Sequence, residues 1–326
     1  MAWYSGLWAI LIYVMVIAAM RAEPVETFLE APGPKGPLRG TMLAPEDRQS
    51  SEVVLIIPGS GPTDRDGNSP HGLQASTYQL LAEGLAANGV ANVRIDKRGM
   101  FASNAATADA NAVTIADYAD DVHSWISTIR ERTKISCVWL LGHSEGGLVA
   151  LVAGDRTEEI CGLILASTAG RPLGDVFREQ LLSNPANAAV LDEGLAAIAA
   201  LEQGDRFDTE DMNPALLPLF RPEVQGFLIE AFSYNPAALL AAYEEPALIL
   251  HGERDIQISV EDADRLSKAN SKAEIILLPD TNHVLKSVTS SDRAANLATY
   301  TDPRLPLAPG IIEAIERFLT SHRRQK

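Results

Sequence analysis

Cysteine is almost absent. Cys137 and Cys161 are the only two in 326 residues, which excludes a disulfide-scaffolded miniprotein, and two thiols alone do not make a zinc site. Basic residues are also scarce: 27 Lys and Arg face 43 Asp and Glu, a net charge of −16. That balance argues against nucleic acid or an anionic membrane surface as a partner, because binding either needs a basic patch. The one basic cluster, Arg323-Arg324-Gln325-Lys326, reads as a solvated helix end. Charge is missing altogether from Met1 to Met20, and Leu7 to Met20 is a nearly unbroken apolar run. Residues 1–22 therefore read as an export leader, or as an N-terminal anchor if uncleaved. The anchor stays open because the segment has no early Lys or Arg, and Met20 and Arg21 occupy the positions where a cleavage site prefers small residues. The expected location is periplasmic or secreted, with membrane contact only through an uncleaved anchor. No internal repeat or low-complexity segment breaks the chain.

What is present is organised around Val138 to Leu148. An apolar run ends in Gly142-His143-Ser144-Glu145-Gly146-Gly147 and continues into an apolar helical stretch. This is the strand, tight turn and helix of a nucleophile elbow, which lifts a serine oxygen above the carboxyl end of a sheet. Ser144 is the candidate nucleophile.

On either side of it, strand and helix patterns alternate. Glu26 to Glu30 and Leu38 to Leu43 suggest a first hairpin. Val53 to Ile57, Asn92 to Asp96, Cys137 to Leu141 and Cys161 to Ala166 read as strands separated by helices over 78–88 and 114–132. Crossovers of that length imply a mostly parallel sheet covered on both faces. From about Gly170 to Glu245 the alternation fails, leaving Ala- and Leu-rich helical stretches punctuated by proline. The expected organisation is a core over 23–169 and 246–326 with a helical cap over 170–245. Strands at Ala247 to Leu250 and Glu274 to Leu278 resume the pattern, and helices over 260–269 and 311–319 complete it. Cys137 and Cys161 each start a strand. Disulfide geometry is demanding, so the expectation is two buried thiols, with a bridge open only if those strands are parallel neighbours.

A serine nucleophile needs a base and a group that orients the base, and in this kind of sheet they follow in the order acid, then histidine. Asp255 lies just past one late strand and His283 just past the next, on the sheet edge where sites form. Glu253 and Asp280 are weaker rivals for the acid. Of the other histidines, His71, His123 and His322 sit in a loop, a helix and the tail. His143 adjoins the nucleophile but should point elsewhere, and His251 reads as a core residue. The oxyanion needs two backbone N–H groups; Glu145 supplies one, and Ser60, in the loop Ile57-Pro58-Gly59-Ser60-Gly61-Pro62, supplies the other. Gly59-x-Gly61 lacks a third glycine and is followed by Pro62, so it is no dinucleotide fingerprint. Asp64-Arg65-Asp66-Gly67-Asn68 has the wrong ligand spacing for calcium and reads as an ion-paired loop. No metal or cofactor is implied.

These motifs together resemble the α/β-hydrolase superfamily. Pro58 to Asn68, Arg94-Ile95-Asp96-Lys97-Arg98-Gly99 and Asn282-His283-Val284-Leu285-Lys286 resemble its bacterial carboxylesterase branch, related to serine aminopeptidase-like hydrolases, over the chain from about Val53 onward. The resemblance implies an eight-stranded, mostly parallel sheet with helices on both faces and a helical cap. It also implies hydrolysis of carboxylic esters through an acyl-enzyme carried by Ser144, His283 and Asp255. Phe101 stands where relatives often have a second glycine. The substrate expected is a small-molecule ester of a small or medium acyl group. A peptidase or amidase is the alternative, favoured if a cap acid such as Glu179, Glu223 or Glu230 binds a free amine; a non-catalytic binding protein on the same fold is the third reading. Phe177, Leu181, Leu216, Leu217, Phe220, Phe227, Phe232 and Tyr234 are available for an acyl cavity, although cap packing would use most of them.

Overall fold

The computed structural model describes residues 23–46, 50–156 and 158–323. The leader over 1–22 and the end of the basic tail lie outside the described residues. Eight strands form one sheet: β1 (Val25–Ala31), β2 (Leu38–Ala44), β3 (Val53–Ile57), β4 (Ala91–Ile95), β5 (Val138–His143), β6 (Ile160–Ala166), β7 (Ala247–Gly252) and β8 (Glu274–Leu278). Their spatial order is β1-β2-β4-β3-β5-β6-β7-β8. The first hairpin is antiparallel and β2 meets β4 antiparallel, while β3 to β8 pair in parallel.

Central strands covered on both faces must be apolar at every position, and β3, Val53-Val54-Leu55-Ile56-Ile57, is buried throughout. Its residues divide by parity. Val53, Leu55 and Ile57 join a core with α2 (Ile115–Thr133), α3 (Glu145–Ala153), α8 (Pro236–Ala242) and α9 (Val260–Ala269). Val54 and Ile56 face α1 (Thr77–Ala87) and α11 (Ile311–Ser321) on the opposite side. Helix α2 starts at a capping box, in which Thr114 and Asp117 satisfy each other's backbone N–H groups. Between β6 and β7 the described elements are helical: α4 (Leu173–Ser183), α5 (Leu191–Glu202), α6 (Leu217–Phe220), α7 (Pro222–Ser233) and α8. A short helix, α10 (Arg293–Ala298), follows the β8 loop. Phe220, Leu228 and Phe232 fill a separate core shared by α4 to α7, so Phe220 and Phe232 of the expected acyl wall serve cap packing.

Two polar ties hold this helical layer to the body. Buried Asp262 of α9 accepts hydrogen bonds from the Gly170 N–H at 3.1 Å and from Arg171 Nε at 3.0 Å. Glu230 of α7 accepts the Ile115 N–H at 2.9 Å at the start of α2, where a carboxylate also suits the helix dipole.

One expectation is corrected. Cys137 and Cys161 are joined in a disulfide, with Cα atoms 5.2 Å apart. The strands they begin are parallel neighbours, and the pairing slips between Val138 and Trp139, so that Val138 faces Ile160 while Trp139 faces Gly162. That irregularity leaves Cys161 as the extra residue and lets its side chain reach Cys137.

Candidate active site

Ser144 stands between β5 and α3 with φ 55° and ψ −121°, a conformation that L residues adopt only when their surroundings impose it. Close backbone packing imposes it here. A Cβ on Gly142 would come within 2.2 Å of the Gly146 carbonyl oxygen, and one on Gly146 within 2.3 Å of the Ile57 oxygen. Only glycine fits at either position, and Gly146 thereby brings the elbow against the end of β3, where the Ser60 loop begins. The Ser144 N–H donates to Ala166 O at 2.9 Å, fastening the turn to the end of β6.

His283 lies in the loop after β8, and its Nδ1 donates to Asp255 Oδ2 at 2.7 Å. Both side chains are buried. The other Asp255 oxygen, Oδ1, accepts the N–H groups of Gln257 at 2.8 Å and Ile258 at 2.9 Å, so the loop after β7 fixes the carboxylate. Burial pushes the Asp255 carboxyl up, but the His283 charge and these hydrogen bonds outweigh it and hold the group below its usual range. With a proton committed to Nδ1, the His283 Nε2 lone pair is available as a base. Asp255 is thus the acid that the structure brings to His283. Glu253 is exposed, and Asp280 lies 3.9 Å from Arg254.

The Ser60 loop is held from two sides through the preceding residue. The Gly59 N–H donates to Tyr78 Oη at 2.8 Å, and the Gly59 carbonyl accepts from Lys97 Nζ at 2.6 Å. Among the described residues the Ser60 N–H has no hydrogen-bond partner. The Glu145 N–H, at the first position of α3, has no intrahelical acceptor. Both expected oxyanion donors are therefore unspent. The Glu145 carboxylate turns away to Lys97 Nζ at 3.4 Å, in a buried pair. Burial pulls the Lys97 ammonium down, and Glu145 partly restores it. Sequence reading gave Lys97 no task; its place in Asp96-Lys97-Arg98-Gly99 was the only signal. The expected ion-paired loop is present as well, with Arg65 on Asp96 at 2.5 Å and Arg94 on Asp66.

His143 does turn from the nucleophile. Its Nε2 lies 2.8 Å from the His283 carbonyl oxygen and its Nδ1 2.9 Å from Tyr78 Oη. The two histidine rings are 5.0 Å apart, so the elbow and the histidine loop touch. Burial, reinforced by His283, pushes His143 down to about 3 from the usual 6.5. Burial also lowers His251, whose Nε2 reaches Ile258 O at 3.2 Å while Nδ1 has no partner among the described residues. Both histidines are neutral in the fold and take up protons when the chain unfolds, so the unfolded state binds more protons between pH 6.5 and about 3. Stability therefore falls as pH drops through that window. Urea midpoints measured across it should flatten in His143→Gln relative to the unmodified protein; an unchanged slope would show that His143 is not held neutral.

A cleft of about 260 Å³ lies between the cap and the loop that holds Asp255, lined by Phe177, Leu181, Leu216 and Leu219 with Ile256 and Gln257. Neither this cleft, which adjoins Asp255 through Ile256 and Gln257, nor the larger surface clefts of about 700 and 650 Å³ includes a residue of the candidate triad. No group of three or more His, Cys, Asp or Glu residues suited to a metal occurs among the described residues.

Comparison with known proteins agrees with this architecture. Residues 71–286 match the family model described as serine aminopeptidase, S33. Esterase EstD of Thermotoga maritima is 24% identical over 257 residues, which cover 77% of this chain and 58% of EstD. The chain thus spans less than two thirds of that relative's length. The Pyrococcus furiosus esterase Pf2001 superposes with a TM-score of 0.60 at 15% identity, over 92% of each chain. Est1E from Butyrivibrio proteoclasticus with bound ferulic acid superposes at 0.58 and 18% identity, over 90% of this chain and 98% of Est1E. These likenesses establish an α/β-hydrolase fold, and the match over most of the sheet and site assigns the chain to the serine aminopeptidase S33 family of α/β hydrolases.

Proposed function

We propose that the protein is a serine hydrolase that cleaves carboxylic esters of small or medium acyl groups through an acyl-enzyme. The observation that carries this reading is the buried Asp255–His283 pair, with the histidine loop hydrogen-bonded to the elbow that presents Ser144. Ser144 Oγ attacks the ester carbonyl carbon as His283 Nε2 removes its proton. The carbonyl π pair moves onto oxygen, which the Ser60 and Glu145 N–H groups receive. Collapse of the tetrahedral intermediate breaks the bond to the alkoxide, and His283 protonates that leaving group. Water, deprotonated by His283, then repeats the sequence on the acyl-serine and releases the acid.

Ester rather than amide substrates are favoured by the cap acids. A peptidase that reads a free amine needs an uncommitted carboxylate at its site. Glu179 pairs with Arg171, Glu223 with Arg221 at 3.7 Å, and Glu230 holds the start of α2 together with the Tyr234 hydroxyl at 2.7 Å. The cleft of about 260 Å³, which the cap lines with both apolar and amide side chains, would suit a short acyl or alcohol group. An exported location is supported by the uncharged stretch Met1 to Met20 and by the Cys137–Cys161 disulfide, since such bonds persist in oxidising compartments.

The test is a paired assay of p-nitrophenyl esters of increasing chain length and aminoacyl anilides, with a serine-directed fluorophosphonate as label. Ester turnover with label on Ser144 is expected. Anilide cleavage of comparable kcat/KM would move the protein to the peptidases, and silence on both substrates without labelling would leave a binding protein on a hydrolase fold.

A further inference from the structure

Four groups from distant parts of the chain form one hydrogen-bonded line. The Gly59 N–H reaches Tyr78 Oη at 2.8 Å, Tyr78 Oη reaches His143 Nδ1 at 2.9 Å, and His143 Nε2 reaches the His283 carbonyl at 2.8 Å. The ends of the line set its direction. A carbonyl only accepts, so Nε2 carries the His143 proton, Nδ1 is bare, and the Tyr78 hydroxyl must donate to it. The phenol oxygen is then left to accept from Gly59. Every donor points the same way, a sense in which each bond polarises the next. Tyr78 and His143 are both buried, and their rings meet edge-on at 5.5 Å.

The line joins the two loops whose separation decides catalysis. Gly59 precedes the oxyanion donor Ser60, and His283 is the base. Next to Tyr78, the Thr77 hydroxyl also donates to Val284 O at 2.9 Å, so the start of α1 braces the same histidine loop. We propose that Tyr78 and His143 are positioning residues that set the height of His283 over Ser144 relative to the oxyanion loop. The proposal rests on the ester-hydrolase reading above. Neither residue touches substrate; they act by holding the base and the oxyanion donor in one frame. Ground-state binding is left to other groups, so the loss on cutting the line falls on kcat.

Tyr78→Phe keeps the ring and removes the link to both neighbours. It is expected to lower kcat on a p-nitrophenyl ester about 10- to 100-fold, with KM within about twofold, because a misplacement on the order of 1 Å suffices for a loss of that size. His143→Gln, whose amide nitrogen can still reach the His283 carbonyl, should retain about 10-fold more kcat than His143→Leu. Loss confined to KM, equal kcat in the Gln and Leu variants, or kcat within twofold of the unmodified protein in Tyr78→Phe would overturn the proposal. Nitrogen-15 spectra of the unmodified protein test it without any variant. The His143 ring should remain the neutral Nε2–H tautomer from about pH 5 to 9, and its signals should shift when Ser144 is phosphonylated. A ring that titrates in that range, or one insensitive to modification of Ser144, would also overturn it. A protein that hydrolyses no ester and takes no fluorophosphonate label fails the parent reading instead, which the unmodified chain reveals before any variant is made.

Discussion

Ser144→Ala should lower kcat/KM on p-nitrophenyl esters by roughly 10⁴- to 10⁶-fold while the protein melts within about 2 °C of the unmodified chain. The two halves of that expectation have separate causes. In the proposed mechanism the hydroxyl is the nucleophile, so no acyl-enzyme forms without it, and the residual turnover expected is that of the oxyanion donors acting on water. The strained φ of 55° is imposed by Gly142 and Gly146 packing, which alanine leaves intact. Turnover above about a tenth of the original would remove Ser144 from the role, and a large fall in melting temperature would make the activity loss uninformative.

Asp255→Asn is expected to lower kcat by about 10⁴-fold, nearly as much, through a change in proton placement alone. Asp255 Oδ1 receives two backbone N–H groups, from Gln257 and Ile258, and Oδ2 faces His283 Nδ1. An asparagine keeps its carbonyl oxygen on the two N–H groups and turns its NH₂ to the histidine. His283 Nδ1 must then accept, its proton moves to Nε2, and the lone pair that should take the Ser144 proton is gone. Initial rates, together with the nitrogen-15 tautomer of His283, check both parts. A loss under about 10-fold would mean that another group orients the base.

Much of this was legible before any coordinates, for reasons that particular residues display. Strands β3, β5, β6 and β7 lie inside a sheet that helices cover on both sides, so they read as apolar runs such as Val53 to Ile57. Ser144, Asp255 and His283 share the property of lying at the carboxyl end of such a run. That is a one-dimensional signal. Tyr78 and His143 carry no such signal, because their partners lie 19, 65 and 140 residues away along the chain. A buried lysine such as Lys97 is equally silent in sequence, since its partner carboxylate, Glu145, comes from a different strand-to-helix turn. The disulfide stays undecided in the sequence for a subtler reason. Register decides whether two strand starts meet, and the slip at Val138 is a property of paired backbones that neither strand encodes alone. In the cap, Phe177 and Phe220 look alike in sequence; the tertiary fold of α4 to α7 buries Phe220 in the cap core and leaves Phe177 packed against that core with a part of its surface on the cleft.

The bridge between Cys137 and Cys161 closes a covalent ring over a sequence separation of 24, and the ring contains β5, Ser144 and all of α3. In an unfolded but oxidised chain the starts of β5 and β6 would remain within bonding distance. Chain-entropy arguments value a ring of this size at about 3 kcal/mol, drawn from the freedom of the denatured ensemble. The gain falls on a parallel pairing, which otherwise requires a long crossover to close before any ladder forms. The strained turn bearing the serine thus lies on the stretch of chain with the least freedom to wander, so refolding begins with the elbow's two flanking strands already tethered.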